Sequence, residues 1–300
     1  MNSGFVSSSL AVVVALVAGF PATPEDLRGM ASLTCSGTLI RANRAADRPA
    51  ILLTNGHCAT NTAIEADDAI TNAPYERGEI SLYFGGEAPE GVKPSRVLYA
   101  TRTGTDLALI ELKSTYGELE AKGARVYELS DVDAKPETDI QLVSGYWKQK
   151  QLCAISHIVG SLIEDVWMTR DSYAMRDPCP IVGGWSGTPM LDPTTGKVVG
   201  ILNTTNTAGQ VCTVDNPCEV MADGTRLAFN GRAYGQRTTA VLGCIDPTGD
   251  LNLELPTCKL QKPKARPTPR PSPETTPTTR PDPKPSKPGS AWPKASRKRS

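Results

Sequence analysis

Short apolar runs separated by clusters of Gly, Pro, Asn and Asp dominate the chain up to Cys258. The runs at 36–42, 50–55, 80–84, 95–100 and 107–112 form one set, and those at 139–144, 153–160, 165–169, 188–192, 197–203 and 233–242 a second. This spacing predicts an all-β sandwich or barrel rather than helices between parallel strands. A polar stretch from about Ser114 to Glu137 lies between the sets and reads as a connector with one helical turn.

The two ends of the chain break this pattern. Leu10 to Phe20 is an unbroken apolar run, short enough for the core of a signal peptide and too short for a comfortable membrane span. Residues 1–22 are therefore expected to be an export signal, cut between Gly19 and Ala22. No Lys or Arg precedes the run, so a buried N-terminal strand is the competing reading. At the other end, residues 262–300 hold eleven prolines and eleven Lys/Arg against Glu274 and Asp282, a net +9, while residues 1–261 carry 21 basic and 30 acidic residues, a net −9. The overall balance of zero conceals that split. Residues 259–300 are expected to form a disordered, basic, Pro-rich tail, because they lack the apolar surface to fold. Such a tail serves as a solvated spacer or attaches electrostatically to an anionic cell surface, and for an exported protein a nucleic-acid partner is not expected.

Eight cysteines, an even number, fit an oxidising compartment. No Cys-x-x-Cys pair occurs and there are only two histidines, so neither a metal site nor another cofactor is expected. The acidic group Glu65, Asp67 and Asp68 reads as a solvated loop.

Candidate chemistry centres on Gly183-Gly184-Trp185-Ser186-Gly187-Thr188-Pro189. Glycines reach backbone angles closed to other residues, so a serine framed by them can sit on a tight turn with backbone N–H groups directed at one point. An ordinary surface turn would have the same composition. A serine hydroxyl needs a neighbouring base oriented by a carboxylate before it is a useful nucleophile. His157 reads as a plain strand position, whereas His57 follows an apolar run in a glycine turn, Asn55-Gly56-His57-Cys58. Asp106 opens the apolar run 107–110, where a carboxylate must be paired or hydrogen-bonded to be tolerated. Asp131, Asp133 and Asp139 lie in polar surroundings and are weaker candidates.

In these segments the sequence resembles the trypsin/chymotrypsin-like serine peptidases, especially their bacterial secreted members. Cys35-Ser36-Gly37-Thr38-Leu39-Ile40 with Leu53-Thr54-Asn55-Gly56-His57-Cys58, then Asp106-Leu107-Ala108-Leu109-Ile110, then Gly184-Trp185-Ser186-Gly187-Thr188-Pro189 carry the resemblance. They occur in the order His, Asp, Ser, which differs from subtilisin-like and α/β-hydrolase orders. The resemblance implies two antiparallel Greek-key β-barrels, at 30–118 and 138–258 with a connector at 119–137, and an active site in the cleft between them. It implies His57, Asp106 and Ser186 as catalytic residues, the N–H groups of Gly184 and Ser186 as the oxyanion hole, and a Cys35–Cys58 disulfide. Local pairs Cys153–Cys179, Cys212–Cys218 and Cys244–Cys258 are expected for the rest. By position relative to Ser186, the substrate pocket is expected to have Pro180 and Ile181 at its base and Asn203, Thr204 and Thr205 as a wall. No acidic residue stands at that base, so a small or medium uncharged side chain is expected before the cleaved bond of a protein or peptide substrate, with the enzyme a monomer. Many animal members carry an aspartate where this chain has Trp185, and a second glycine where it has Thr188. Tryptophan cannot pair with a freshly cut N-terminus, so activity is expected not to need one, with Trp185 packing against the loop. The competing reading is a non-catalytic, surface-displayed binding protein on the same fold.

Overall fold

A computed structural model describes residues 19–265. The expected export signal lies almost wholly outside that range, and so does the expected tail from residue 266 onward. Two sheets of nine strands each, antiparallel but for one short pairing, build the fold, as the run spacing and the resemblance anticipate.

In the first sheet the strand order is Ala69–Ala73, Pro94–Thr101, Leu107–Thr115, Pro49–Thr54, Ser36–Arg41, Met30–Ser32, Ile80–Leu82 and Glu90–Val92. Ile80, Leu82 and Val92 from one end of this path share a buried cluster with Val97 and Ala100 near the other, and with Leu39, Leu52 and Ile110 between. The sheet therefore wraps around its own core. The second sheet closes outright. Asp139–Ser144, Pro189–Leu191, Val198–Thr205, Ala233–Arg237, Trp167–Met175 and Gln149–Glu164 follow one another, and the last pairs back with the first. Ile140, Leu142, Ile155, Tyr173, Met190 and Leu202 fill it.

Burial on two faces explains why residues 50–53 contain no polar side chain. Consecutive strand residues point to opposite faces. Ala50 and Leu52 enter the first sheet's core, whereas Ile51 and Leu53 join a second cluster with Val143, Leu191, Val198 and Ile201 of the other sheet. This shared apolar layer fixes one sheet against the other, and so determines which of their loops meet.

Several expected boundaries change. The helical turn of the connector is Tyr116–Ala121, closed at its start by Thr115 and Glu118, each side chain bonding the other's backbone N–H. Tyr127–Glu128 then pairs in parallel with Ile40 and Arg41, so the 119–137 segment contributes a strand. The expected strand 165–169 begins too early, because Asp165 has φ +54° and turns the hairpin between Gln149–Glu164 and Trp167–Met175. The expected strand 233–242 stops at Arg237. A short helix, Thr239–Leu242, follows, placing Val241 and Cys244 in the layer between the sheets.

Residues 259–264, expected in the tail, pack on the fold instead. Leu260 is only 5% exposed and belongs to the inter-sheet cluster. Tyr99 donates to the carbonyl of Gln261 at 2.9 Å, and the Lys264 N–H donates to Asp68 at 2.8 Å. One leucine anchors a segment that composition alone assigns to solvent. Before it, Asp250 accepts from Arg44 at 2.6 Å and from Arg48 at 2.7 Å, tying the 244–258 region to the first sheet. Disulfides join Cys35–Cys58, Cys153–Cys179, Cys212–Cys218 and Cys244–Cys258, all four as expected.

Candidate active site

Strand Pro49–Thr54 delivers the chain to a single helical turn, Gly56–Ala59, which carries His57. Gly56 is required by close approach, since a Cβ there would overlap the Thr101 carbonyl and lie 3.1 Å from Asp106 Oδ1. The Cys35–Cys58 disulfide fastens the turn from its far side. Cys35, His57 and Cys58 cluster closely enough to resemble metal donors, but both sulfurs are spent in that bond.

Asp106 precedes strand Leu107–Thr115 and is 3% exposed. Its two oxygens hold His57 at two points. Oδ2 lies 2.8 Å from the imidazole Nδ1, and Oδ1 accepts the His57 backbone N–H at 3.1 Å. Asn55 donates to the Asp106 carbonyl at 2.7 Å, which locks the two turns together. Burial alone would raise the Asp106 carboxyl. The charge and hydrogen bonds of His57 and the charge of Arg102 outweigh burial and hold it below its ordinary value. Arg102 contributes from 3.5 Å, its guanidinium carbon 3.4 Å from the centre of the Trp167 ring. Nothing in the sequence singled Arg102 out.

Ser186 sits on the turn after Gly184. Both left-handed positions are glycines, Gly184 at φ +91° and Gly187 at φ +78°. A Cβ at Gly187 would overlap the Ser36 carbonyl and the Thr54 hydroxyl. Thr188 falls outside the left-handed region, so threonine fits where a second glycine is common. Trp185 is 3% exposed, packed in the cluster that holds Cys153, Cys179 and Ile181.

The first sheet and the loop after Ser144 clamp this turn. The Ser36 N–H donates to the Ser186 carbonyl at 2.8 Å, the Ser36 hydroxyl donates to the Gly184 carbonyl at 3.1 Å, and the Trp147 indole donates to the Gly183 carbonyl at 2.9 Å. Among the described residues, the N–H groups of Gly184 and Ser186 donate to no backbone carbonyl. The N-terminal segment docks elsewhere, with Phe20 and Pro21 paired to Lys150 and Gln149, and Asp26 2.8 Å from Lys150.

His57 and Ser186 line one cleft of about 310 Å³. Ile181, Asn203, Thr204 and Thr205 line it as expected from their positions, but Pro180 does not. It points to solvent just past the Cys153–Cys179 disulfide, and Val182 and Gly183 take its place. Arg102, Glu164, Thr207, Val214 and Asp215 complete the lining. Glu164 ends the long strand Gln149–Glu164, and Asp215 lies in the loop closed by Cys212–Cys218. The Ser186 hydroxyl donates to the Asn203 carbonyl at 3.0 Å. His157 stays away from the cleft on its strand, its Nε2 2.9 Å from Glu219.

The family model described as Trypsin-like peptidase domain matches residues 35–201. No curated protein matches the sequence. Among solved structures the chain is similar to the apo form of the MamO protease domain from Magnetospirillum magneticum, at 13% identity over 72% of this chain and 90% of that one, with TM-score 0.45. It is also similar to the serine protease domain of the Sesbania mosaic virus polyprotein, at 14% identity, 74% and 95% coverage, and TM-score 0.43. Human heparin binding protein is similar at 14% identity, 76% and 93% coverage, and TM-score 0.46.

Proposed function

The chain belongs to the trypsin-like peptidase family, whose model spans more than half of it, and on that premise we propose that it is a secreted serine endopeptidase. The observation that carries this reading is the two-point grip of Asp106 on His57, in the same cleft as Ser186. In the proposed cycle the Ser186 hydroxyl leaves the Asn203 carbonyl, turns towards His57 and attacks a peptide carbonyl while the imidazole takes its proton. Asp106 holds the tautomer and stabilises the imidazolium. The N–H groups of Gly184 and Ser186, without backbone partners, receive the charge that develops on oxygen. His57 returns the proton to the departing amine, and water then cleaves the acyl-enzyme by the same route.

The short and medium side chains of Ile181, Val182, Thr204 and Thr205 around the cleft support a small or medium uncharged residue before the cleaved bond. Four disulfides support export. Attachment to an anionic surface through the basic end of the chain rests on composition alone.

A fluorophosphonate probe tests the reading. Covalent labelling of the wild type, abolished in Ser186→Ala, is the expected result, and an unlabelled, folded wild type refutes it. The second reading, a non-catalytic binding protein, draws on the Ser186 hydroxyl's bond to Asn203 in place of one to His57. It requires that refuting result.

A further inference from the structure

The charged groups around the cleft are unbalanced. Among the described residues Arg102 is the one cation lining it, against Glu164 and Asp215, with Asp106 in a small adjoining cavity. The Arg102 guanidinium lies within ion-pair distance of Asp106 and 3.4 Å from the centre of the Trp167 ring, although its Nε makes no hydrogen bond. Among the described residues no basic side chain forms an ion pair with Glu164. Its carboxylate instead accepts the Asp215 N–H at 3.0 Å. Burial raises the Glu164 carboxyl, and its hydrogen bonds to Thr204 and the Asp215 backbone and the more remote Arg102 charge only partly offset that rise.

A second observation is independent of charge. Asn203 lines both the cleft and the small cavity beside it, is 5% exposed, and its side-chain oxygen has no hydrogen-bond partner. A buried acceptor without a donor costs free energy that a ligand donor would recover. The Glu164 carboxylate, the Asn203 oxygen and the exposed Asp215 carboxylate are all acceptors, and the group that satisfies acceptors and cancels negative charge together is a cation with several N–H donors.

From this arrangement we propose that Glu164 and Asn203 form a subsite for a lysine or arginine side chain of the substrate, lying within a few residues of the bond that is cleaved and distinct from the uncharged residue next to it. The proposal rests on reading this cleft as the peptidase site. Asp215 adds charge at the rim. The half-buried Glu164 supplies most of the selectivity, because a carboxylate partly shielded from water gains more from a cation than a fully exposed one does.

A peptide series with lysine or arginine replaced by norleucine or citrulline, one position at a time, tests it. The wild type should show at least tenfold higher kcat/KM for the cationic peptide at one position, and Glu164→Gln should reduce that ratio to about one while still cleaving the neutral peptide. Binding of the same peptides to Ser186→Ala by calorimetry gives a readout independent of turnover, with circular dichroism verifying that each variant is folded. Turnover with no charge preference at any position, or with a preference that survives Glu164→Gln, overturns the subsite and leaves the peptidase reading standing. Absence of turnover together with tenfold tighter cationic binding that Glu164→Gln removes supports the subsite and overturns the peptidase reading. Absence of both overturns both.

Discussion

The Trp147 indole N–H donates to the carbonyl of Gly183 at 2.9 Å, three residues before Ser186. Together with the two bonds from Ser36, it shapes the turn where Trp185 cannot form the ion pair of many animal relatives. Trp147→Phe removes this donor and keeps most of the ring. A fall in kcat of about tenfold with little change in KM is expected, smaller than the loss of a direct oxyanion donor. Steady-state kinetics on a cleaved peptide would measure it, and an unchanged kcat would show that the indole does not shape the turn.

Gly187→Ala meets two obstacles at once, a left-handed backbone and the Ser36 carbonyl. Strain of this kind costs roughly 1–3 kcal/mol, so the variant should melt several degrees lower and lose most activity. Thermal unfolding beside the wild type decides the matter.

The Ser186 hydroxyl must exchange its Asn203 partner for His57 during the proposed reaction. A structure with a peptide boronate bonded to Ser186 should show that oxygen withdrawn from the Asn203 carbonyl and the His57 Nε2 within about 3 Å of the adduct. An adduct that leaves the imidazole out of reach would contradict the proposed proton route.

Removing the Cys35–Cys58 bridge by a double alanine substitution frees a loop whose ends are 23 residues apart. The chain-entropy account gives a loss of about 3 kcal/mol, readable as a lower denaturant midpoint. His57, next to Cys58, should lose its register, so activity should fall further than the folded fraction does.

Acid sensitivity should run partly through Asp250. Hydrogen bonds from Arg48 and Arg44, and their charges, lower its carboxyl below the ordinary value. The unfolded chain then binds more protons than the folded one as pH falls past about 4. This contribution is fully present above the unfolded pKa and is lost as pH drops through the folded one. Asp250→Asn should therefore narrow the difference in melting temperature between pH 6 and pH 3. An equal pH dependence in both proteins would count against it.

Most strand positions were legible as alternating side chains between glycine and proline turns, and the pairs Cys153–Cys179, Cys212–Cys218 and Cys244–Cys258 as neighbours along the chain, whereas Cys35–Cys58 followed from the family resemblance alone. The three expected catalytic residues were recognisable as motifs, and their meeting depends on the apolar layer from Ile51 to Ile201 that no single segment displays. Glu164, Asp215 and Arg102 stayed hidden because strand ends and loops far apart in the chain bring them to the cleft. Pro180 was misplaced because counting back from Ser186 cannot reveal which way a strand-free segment bends. Leu260 escaped notice as one apolar residue in a basic stretch, although its burial, with the bonds at Gln261 and Lys264, holds that segment down.

The α-carbon of Gly56 leaves no room for a side chain against the main-chain oxygen of Thr101, so the turn is seated backbone against backbone while the Asp106 carboxylate orients the imidazole it carries. A single added methyl group at residue 56 cannot be accommodated there. Tolerance to sequence change should be close to all-or-nothing at that one site.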